Sequence, residues 1–562
     1  MRVDKQAAIL ALPAFIYLLA FAVYPIIDNV VLSFQRQNYL GVISWAGLHN
    51  YFQLATDPFI ARVVENTVLY MVAVPIIDVA LAIPLAVILK RVNKTWVLLI
   101  TLLPAFIPFV TASVAWLLAL NPFYGVAYFL FRTNLFNTPW MVVVVDVWES
   151  MPLATLIIYA GLRAIPKSIE EASMMDNVIG IRKLLQIDLP YVFPSVLNAF
   201  VLMLIFATFT FDPIYVFEGV VAPLTNLDLA FYSYSQFFSG QPGYAAVLII
   251  IMSLLATAMS LAFIRTTTSR NARRIPVPKS VPNRQVPYLV TVAVLCVYLV
   301  FLLFPFAWLI IESLKTSAAI YYIPPQLLPS PVTISHYVGA LSNGAPYLIS
   351  SLVVAAFVLV ITVVLGAPAA FSMARYRFGG TKLLGFILYV YSLPAVIFML
   401  PLFYIVYHLG LINTWWGLII TYPVFVLPVV VWMMYNSYSN FPPSVDEAGQ
   451  MDGMSKVRTF FRVVLPLSGD AIGIAALYSF LISWGSLVFP LVLTYSPFNM
   501  NFASPSGAQT FSIFIGGTLG HEAVHYGSLA AASIISVVPA ALLLYAMRSR
   551  LEKIWNLGGG NR

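Results

Sequence analysis

The chain has 562 residues, 61% of them hydrophobic and only 9% charged, with a formal net charge of +8 at pH 7 and a mean hydropathy of +0.92. A soluble domain is about 45 to 50% apolar and about 25% charged, so a soluble enzyme built around one polar-coated core is excluded. At roughly 20 apolar residues per bilayer crossing plus short connections, the length accommodates about ten to fourteen transmembrane helices, and the expected fold class is an all-α polytopic membrane protein.

The first apolar stretch, Ala7 to Phe34, follows the basic start MRVDK. It is far longer than the roughly 7 to 15 apolar residues of a signal-peptide core, and no small-residue cleavage site follows, so it is expected to be a retained span. Further spans are expected at 64–89, 95–119, 140–162, 194–217 and 244–264. Residues 265–287, RTTTSRNARRIPVPKSVPNRQVP, then bring six basic residues, four prolines and no acid. Such a segment has nothing to bury in a bilayer or a core and reads as a cytoplasmic basic linker. Spans resume at 288–311, 348–373, 383–407, 415–437, 468–493 and 527–547. The chain thus divides at 1–264, 265–287 and 288–562 into two pseudo-equivalent six-helix halves, about 12 spans in all.

Lys and Arg are retained in short cytoplasmic loops. With both termini cytoplasmic, only Arg36, Arg62, Arg132 and Lys315 fall outside. Membrane topology therefore accounts for the basic charge, and no nucleic-acid-binding face is needed. The single cysteine, Cys296, lies in the apolar run VTVAVLCVYLVFLLF. An intrachain disulfide and a cysteine metal cluster are both impossible, and the residue reads as apolar filler.

Between the fourth and fifth spans of each half lies a polar segment: IPKSIEEASMMDNVIGIRKLLQIDLP at 165–190 and FPPSVDEAGQMDGMSKVRTFFRVVLP at 441–466. Aligned without gaps at an offset of 276, they share nine identities in 26 positions, far more than unrelated loops would, which marks an internal repeat. Each opens with a proline and then a serine, an expected turn and helix N-cap. Acids follow in the first turn, where the helix dipole favours them. A left-handed or otherwise non-helical position is expected at Asn177 and Gly453, and Pro190 and Pro466 lead into the next span.

The pattern E-A-A, three residues, G, nine residues, I-x-L-P resembles the EAA loop of bacterial and archaeal ABC importer permeases. Here it is carried by Glu171, Ala172, Ser173, Asn177, Ile187, Leu189 and Pro190, and again by Glu447, Ala448, Gly449, Gly453, Val463, Leu465 and Pro466. Ser173 and Gly449 replace the second alanine, Val463 the isoleucine and Asn177 the glycine. Outside the loops, YPIIDNVVLSF, GLHNYFQL, VVENTVLYMVAVP and FTFDPIYVFEG resemble MalF-type subunits of carbohydrate importers. SLKTSAAIYYIPPQLLP, ISHYVGAL, SLVVAAFVLVITVVLGAPAAFSMARYRF and FLISWGSLVFPLVLT resemble MalG-type subunits. The resemblance implies two sugar-permease subunits fused head to tail, working by alternating access in the cell membrane.

It implies further that each EAA helix docks on one subunit of a cytoplasmic ATPase dimer. Glu171 and Glu447 would make the charged contacts, Asp176 and Asp452 would cap or orient the loop, and an external solute-binding protein would deliver the cargo. No G-x-x-x-x-G-K-[ST] phosphate-binding loop occurs in the sequence. ATP and Mg are therefore expected on the partner ATPase, with no cofactor and no catalytic residue on this chain. Other readings are a fused permease for iron(III) or thiamine, and an ion-coupled secondary transporter.

Ionisable residues within spans face cavities more often than lipid, which singles out Asp78, Asp146, Glu149, Asp212 and Asp470. Asp146 and Glu149 flank Trp148, and Asp212 sits near Phe209, Phe211 and Tyr215. Carboxylates beside aromatic rings suit a sugar, whose hydroxyls need acceptors and whose C–H faces stack on rings. Tyr478 and Trp484 are the second half's candidates, while Asp470, beside the loop, reads as structural or gating. HEAVH at 521–525 matches the metal-binding pattern H-E-x-x-H and is the one feature favouring a membrane-embedded enzyme. It falls in a short outer loop and reads as solvated, so no metal site is expected.

Overall fold

The computed structural model describes residues 5–37, 43–131, 135–136, 138–208, 210–218, 225–268, 283–393, 395–499, 507–517 and 525–557. In hydrocarbon every backbone polar group must find its partner within the protein, and long apolar runs accordingly fold as helices. Eight described helices are long and apolar enough to cross a bilayer: Lys5–Ser33, Ile60–Val92, Trp140–Arg163, Gly180–Phe206, Pro242–Met259, Tyr288–Ser313, Ser335–Tyr376 and Tyr526–Met547. Four bent pairs raise the number to as many as twelve.

The bends revise the straight spans expected from hydropathy. Thr95–Phe106 meets Phe109–Leu120 at 94°, Lys382–Tyr391 meets Val396–His408 at 90°, Trp415–Thr421 meets Pro423–Asn440 at 41°, and Lys456–Leu467 meets Gly469–Gly485 at 81°. The first break falls at Ile107–Pro108, just after a 3-10 turn with the sequence Leu-Pro-Ala at 103–105, and the second at the Leu-Pro-Ala of 393–395; proline removes a donor and crowds the preceding turn. The span expected over 194–217 also stops early, at Phe206, and a short helix restarts at Asp212. One element departs from the all-α expectation: Gln35–Gln37 pairs antiparallel with Ile43–Trp45. This polar stretch lies beyond the first span, and the Phe34 and Trp45 rings stack across its base at 5.6 Å.

The two halves interlock through their first spans. Lys5–Leu18 packs on Ser335–Tyr376: Ser372 Oγ donates to the Ala7 carbonyl at 2.7 Å, and Tyr17 OH to that of Ile420 at 2.8 Å. Reciprocally, Tyr288–Ser313 lies on the first half, with Tyr298 OH donating to the Leu81 carbonyl at 2.9 Å and Trp148 Nε1 to that of Leu302 at 3.0 Å.

The repeated segments fold alike, position by position. Lys167–Met175 corresponds to Ser444–Met451, Gly180–Lys183 to Lys456–Thr459, and the π-helical turn Leu184–Asp188 to Phe460–Val464. The wide π turn comes just before Pro190 and Pro466, whose missing N–H could not close an ordinary turn. Asn177 has φ +50° and Gly453 φ +71°, the left-handed geometry expected of them. There the Val178 N–H reaches back to the Ser173 carbonyl at 2.8 Å and the Met454 N–H to that of Gly449 at 3.0 Å, a Schellman-type closure of each short helix. The expected serine caps are not formed. Pro166 is the first N-cap and its carbonyl receives the Ile169 N–H, while Ser444 is already helical. Proline's fixed φ supplies the helix-starting geometry directly.

Ser173 and Gly449, the small residues of the motif, lie where each short helix meets the arm that follows it; Ser173 is buried, with its Oγ donating to the Glu170 carbonyl at 2.6 Å. A Cβ on Gly449 would sit 2.8 Å from Thr459 Cγ2. Gly449→Leu should therefore lower the thermal midpoint of the detergent-purified protein, with an overpacking cost of about 1–3 kcal/mol, while Glu447→Gln on the outer face leaves the midpoint unchanged.

Candidate functional site

Two groups of residues stand out, one on the face bearing the repeated loops and one where the halves meet. In the first loop Glu170 turns inward. Lys90 Nζ, at the end of Ile60–Val92, bonds its carboxylate at 2.6 Å and the Leu162 carbonyl at 2.9 Å. In the second loop Asp446 holds the equivalent position and pairs with Arg375, which also donates to the Pro442 carbonyl at 2.9 Å. Each short helix is thus bolted to the long span beside it. The next residues, Glu171 with Ala172 and Glu447 with Ala448, are left exposed.

Beside them Met174 and Met175 are 68% and 88% exposed and Met451 is 87% exposed. Asp176 and Asp452 are also exposed, at the reversal itself, where their backbone N–H groups bond the carbonyls of Ala172 and Ala448 at 3.0 and 3.1 Å. Each helix therefore presents a carboxylate and a soft apolar methionine edge on its exposed face. The inner acid, its cationic partner and the methionines were not singled out in the sequence; the alternation of one inward and one outward acid on an amphipathic turn was the available signal.

At the second group, Asp146 accepts a hydrogen bond from Thr210 Oγ1 at 2.6 Å. Asp146, Glu149 and Asp212 lie within one another's electrostatic field. Asp212 is 6% exposed, and its Oδ1 has no hydrogen-bond partner among the described residues. The second half reaches the same place, since Tyr422 interacts electrostatically with Asp212, and Gly516 packs against the Tyr215 ring, where an added Cβ would be 3.0 Å from Cε1. Gly485 meets Pro108 in the same way, at 3.4 Å. Breaks in the helices converge here: Pro108 and Asp212 from the first half, Tyr422 and Gly485 from the second. Broken helices at the contact of two repeats are where transporters place their sites.

The remaining candidates are placed differently. Trp148 is fully buried, its edge given to Leu302 and its ring 6.4 Å from Trp116. Trp484 donates to the Ser536 carbonyl at 2.9 Å and stacks on Phe480 at 5.5 Å. Phe211 is buried among Tyr234, Phe231 and Tyr215, and Tyr478 lies beside Tyr391. Buried Asp78 receives Ser150 Oγ at 2.6 Å, whereas Asp470 is exposed in the first turn of Gly469–Gly485. Phe209, His521 and Glu522 lie outside the described residues, and His525 is exposed. Among the described residues no group of His, Cys, Asp and Glu is placed to hold a metal ion.

Residues 362–554 match the family described as the inner membrane component of binding-protein-dependent transport systems. The trehalose transport permease of Mycobacterium tuberculosis is 31% identical over 252 residues, 44% of this chain and 89% of that protein. The chain belongs to the binding-protein-dependent transport permease family. Similarity extends to the trehalose/maltose permease of Thermococcus litoralis, 30% identical over 43% of this chain and 85% of that protein. It extends also to the diacetylchitobiose uptake permease of Streptomyces coelicolor, 28% identical over 46% of this chain and 84% of that protein. Each relative is matched along most of its length by less than half of this chain, which has room for two permease subunits and carries the family's loop in both halves. As a family member it is a translocating membrane subunit.

The ion pair at the first loop has a pH signature. The hydrogen bond from Lys90 holds the Glu170 carboxyl below its ordinary range. A group with a lowered folded-state pKa contributes stability above its unfolded pKa and loses it as pH falls through the folded one. The part of the stability difference between wild type and Lys90→Met that depends on the Glu170 charge should be constant near neutrality, begin to shrink near the ordinary glutamate value of 4.5 and be gone below the lowered folded-state value, followed by thermal unfolding across an acid series; the part from the bond to the Leu162 carbonyl remains.

Proposed function

We propose that this chain supplies both membrane halves of an ATP-driven importer of a carbohydrate, powered by a separate cytosolic ATPase dimer and loaded by an external solute-binding protein. The observation that carries this reading is the duplicated exposed helix, Lys167–Met175 and Ser444–Met451, with the same reversal, the same inward ion pair and the same outward glutamate in each half. A secondary transporter would have no use for paired docking helices. ATP and Mg would be held by the ATPase partners, one gripping each helix.

The carbohydrate reading draws on relatives that carry trehalose, maltose and diacetylchitobiose, and on the chemistry of the contact between halves. Asp146, Glu149 and Asp212 supply acceptors for sugar hydroxyls, and Tyr215 and Tyr422 supply ring faces and hydroxyls. Trp148, Phe211, Trp484 and Tyr478 would form the packed wall behind them. Closure of the ATPase dimer would draw the docking helices together, and the Lys90–Glu170 and Arg375–Asp446 pairs would pass that motion to the long spans. The halves then rock about the contact between them. The loops lie on the cytosolic side, at the membrane face rich in Lys and Arg. Gln6 and Asn283 each bond a loop residue, which supports a cytosolic N-terminal segment and linker end as well.

In vesicles containing the chain, its ATPase and its binding protein, Glu171→Ala with Glu447→Ala should abolish ATP-dependent uptake or detach the ATPase; unchanged uptake would remove the assignment. Asp146→Asn, Glu149→Gln and Asp212→Asn should each weaken apparent substrate affinity about ten- to a hundredfold, the range expected for losing a hydrogen bond to a charged group. Wild-type uptake kinetics in all three would place the cargo elsewhere.

A further inference from the structure

The end of the linker does more than join the halves. Asn283 bridges the reversal in the first loop: its Nδ2 donates to the Asn177 carbonyl at 2.6 Å, and its Oδ1 accepts the Ile179 N–H at 2.9 Å. The next residue continues the contact, the Arg284 carbonyl receiving the Ile181 N–H at 3.3 Å. Gly180 between them has φ +61°, and a Cβ there would lie 1.9 Å from the Arg284 carbonyl oxygen. Only glycine lets the two backbones approach so closely. Arg91, next to the Lys90 that bolts the short helix, donates to the Val286 carbonyl at 2.6 Å and to Thr291 Oγ1 at 2.7 Å. Its guanidinium lies over the Tyr288 ring at 5.8 Å.

The left-handed residue Asn177 is the joint that sets the angle between the docking helix and the arm Gly180–Phe206. A side chain bonded on both sides of that joint fixes its angle. Pro287 then leads directly into Tyr288–Ser313, the first span of the other half, which packs on the first half.

We propose that Asn283–Pro287 is a brace, with Asn283 as its positioning residue, that holds the first docking helix at a fixed angle and carries its displacement into the first span of the second half. The inference rests on the proposed ATP-driven function. The second loop has a counterpart: Lys456, 276 positions after Gly180, donates its N–H to Gln6 Oε1 at 2.8 Å. That segment belongs to the first span of the first half, so the bracing is reciprocal between halves. Because the brace and the span it pulls are contiguous in one chain, its local concentration at the joint does not depend on assembly.

The test is solute moved per ATP hydrolysed by the full complex in vesicles. Asn283→Ala should lower this ratio on the order of three- to tenfold while ATP hydrolysis continues and the ATPase stays bound. Gly180→Ala, which dislodges the brace without touching Asn283, should do the same. Asn283→Asp, which keeps the acceptor for Ile179 and loses the donor to Asn177, should fall between. A merely structural contact would lower uptake and hydrolysis together. An unchanged ratio in Asn283→Ala and Gly180→Ala, with or without reduced yield, would overturn the brace. Absence of ATP-driven uptake in the wild-type complex would instead count against the proposed function.

Discussion

The short helices are useful only because they cannot move independently of the spans behind them. A helix of fewer than ten residues on a membrane surface would fray or pivot if left to its own hydrogen bonds. Here each is held by a left-handed reversal at Asn177 or Gly453, by close packing at Ser173 or Gly449, and by an inward acid paired with Lys90 or Arg375. Exposed ion pairs are worth little on their own. These two are partly shielded, and each cation also bonds a backbone carbonyl, so they fix geometry more than they add stability. The outward glutamates and methionines then form a rigid surface on which the proposed partner's force would act.

That force would reach an interface built from interrupted helices. Prolines and glycines at 108, 423, 485 and 516 bring backbone and small residues from both halves to the carboxylates of Asp146 and Asp212. Such breaks are tolerated in apolar surroundings where protein covers them or a polar cavity receives them. The crossed first spans add a mechanical consequence: motion in one half is felt directly in the helices of the other.

Much of this was legible in the residues. Apolar runs separated by basic loops gave the spans, and the repeated E-A-x-x-x-x-[NG] spacing gave the short helices and their left-handed turns, including the asparagine that stands where glycine is usual. Proline alone does not tell a kink from a right-angle break, so the bends at Ile107–Pro108 and at Leu393 came only with the fold. Trp148 was grouped with Asp146 by proximity in sequence, yet residues two apart on a helix point to nearly opposite sides; Asp146 and Glu149, three apart, share a face, and the tryptophan goes to packing. Thr210, Tyr422 and Gly516 were invisible because tertiary crossing, not local pattern, brings them to the site. The same holds for Asn283, an unremarkable residue in a polar linker until the fold lays it across the reversal.

The most direct measurement of whether the two short helices are where a cytosolic motor grips the chain is cysteine labelling at Met174→Cys and Met451→Cys, with Cys296 replaced by alanine. A membrane-impermeant maleimide should label both positions in inverted vesicles and neither in right-side-out ones, and adding the ATPase subunits should block both. Labelling from the outer side, or labelling that the bound ATPase leaves untouched, would contradict the account.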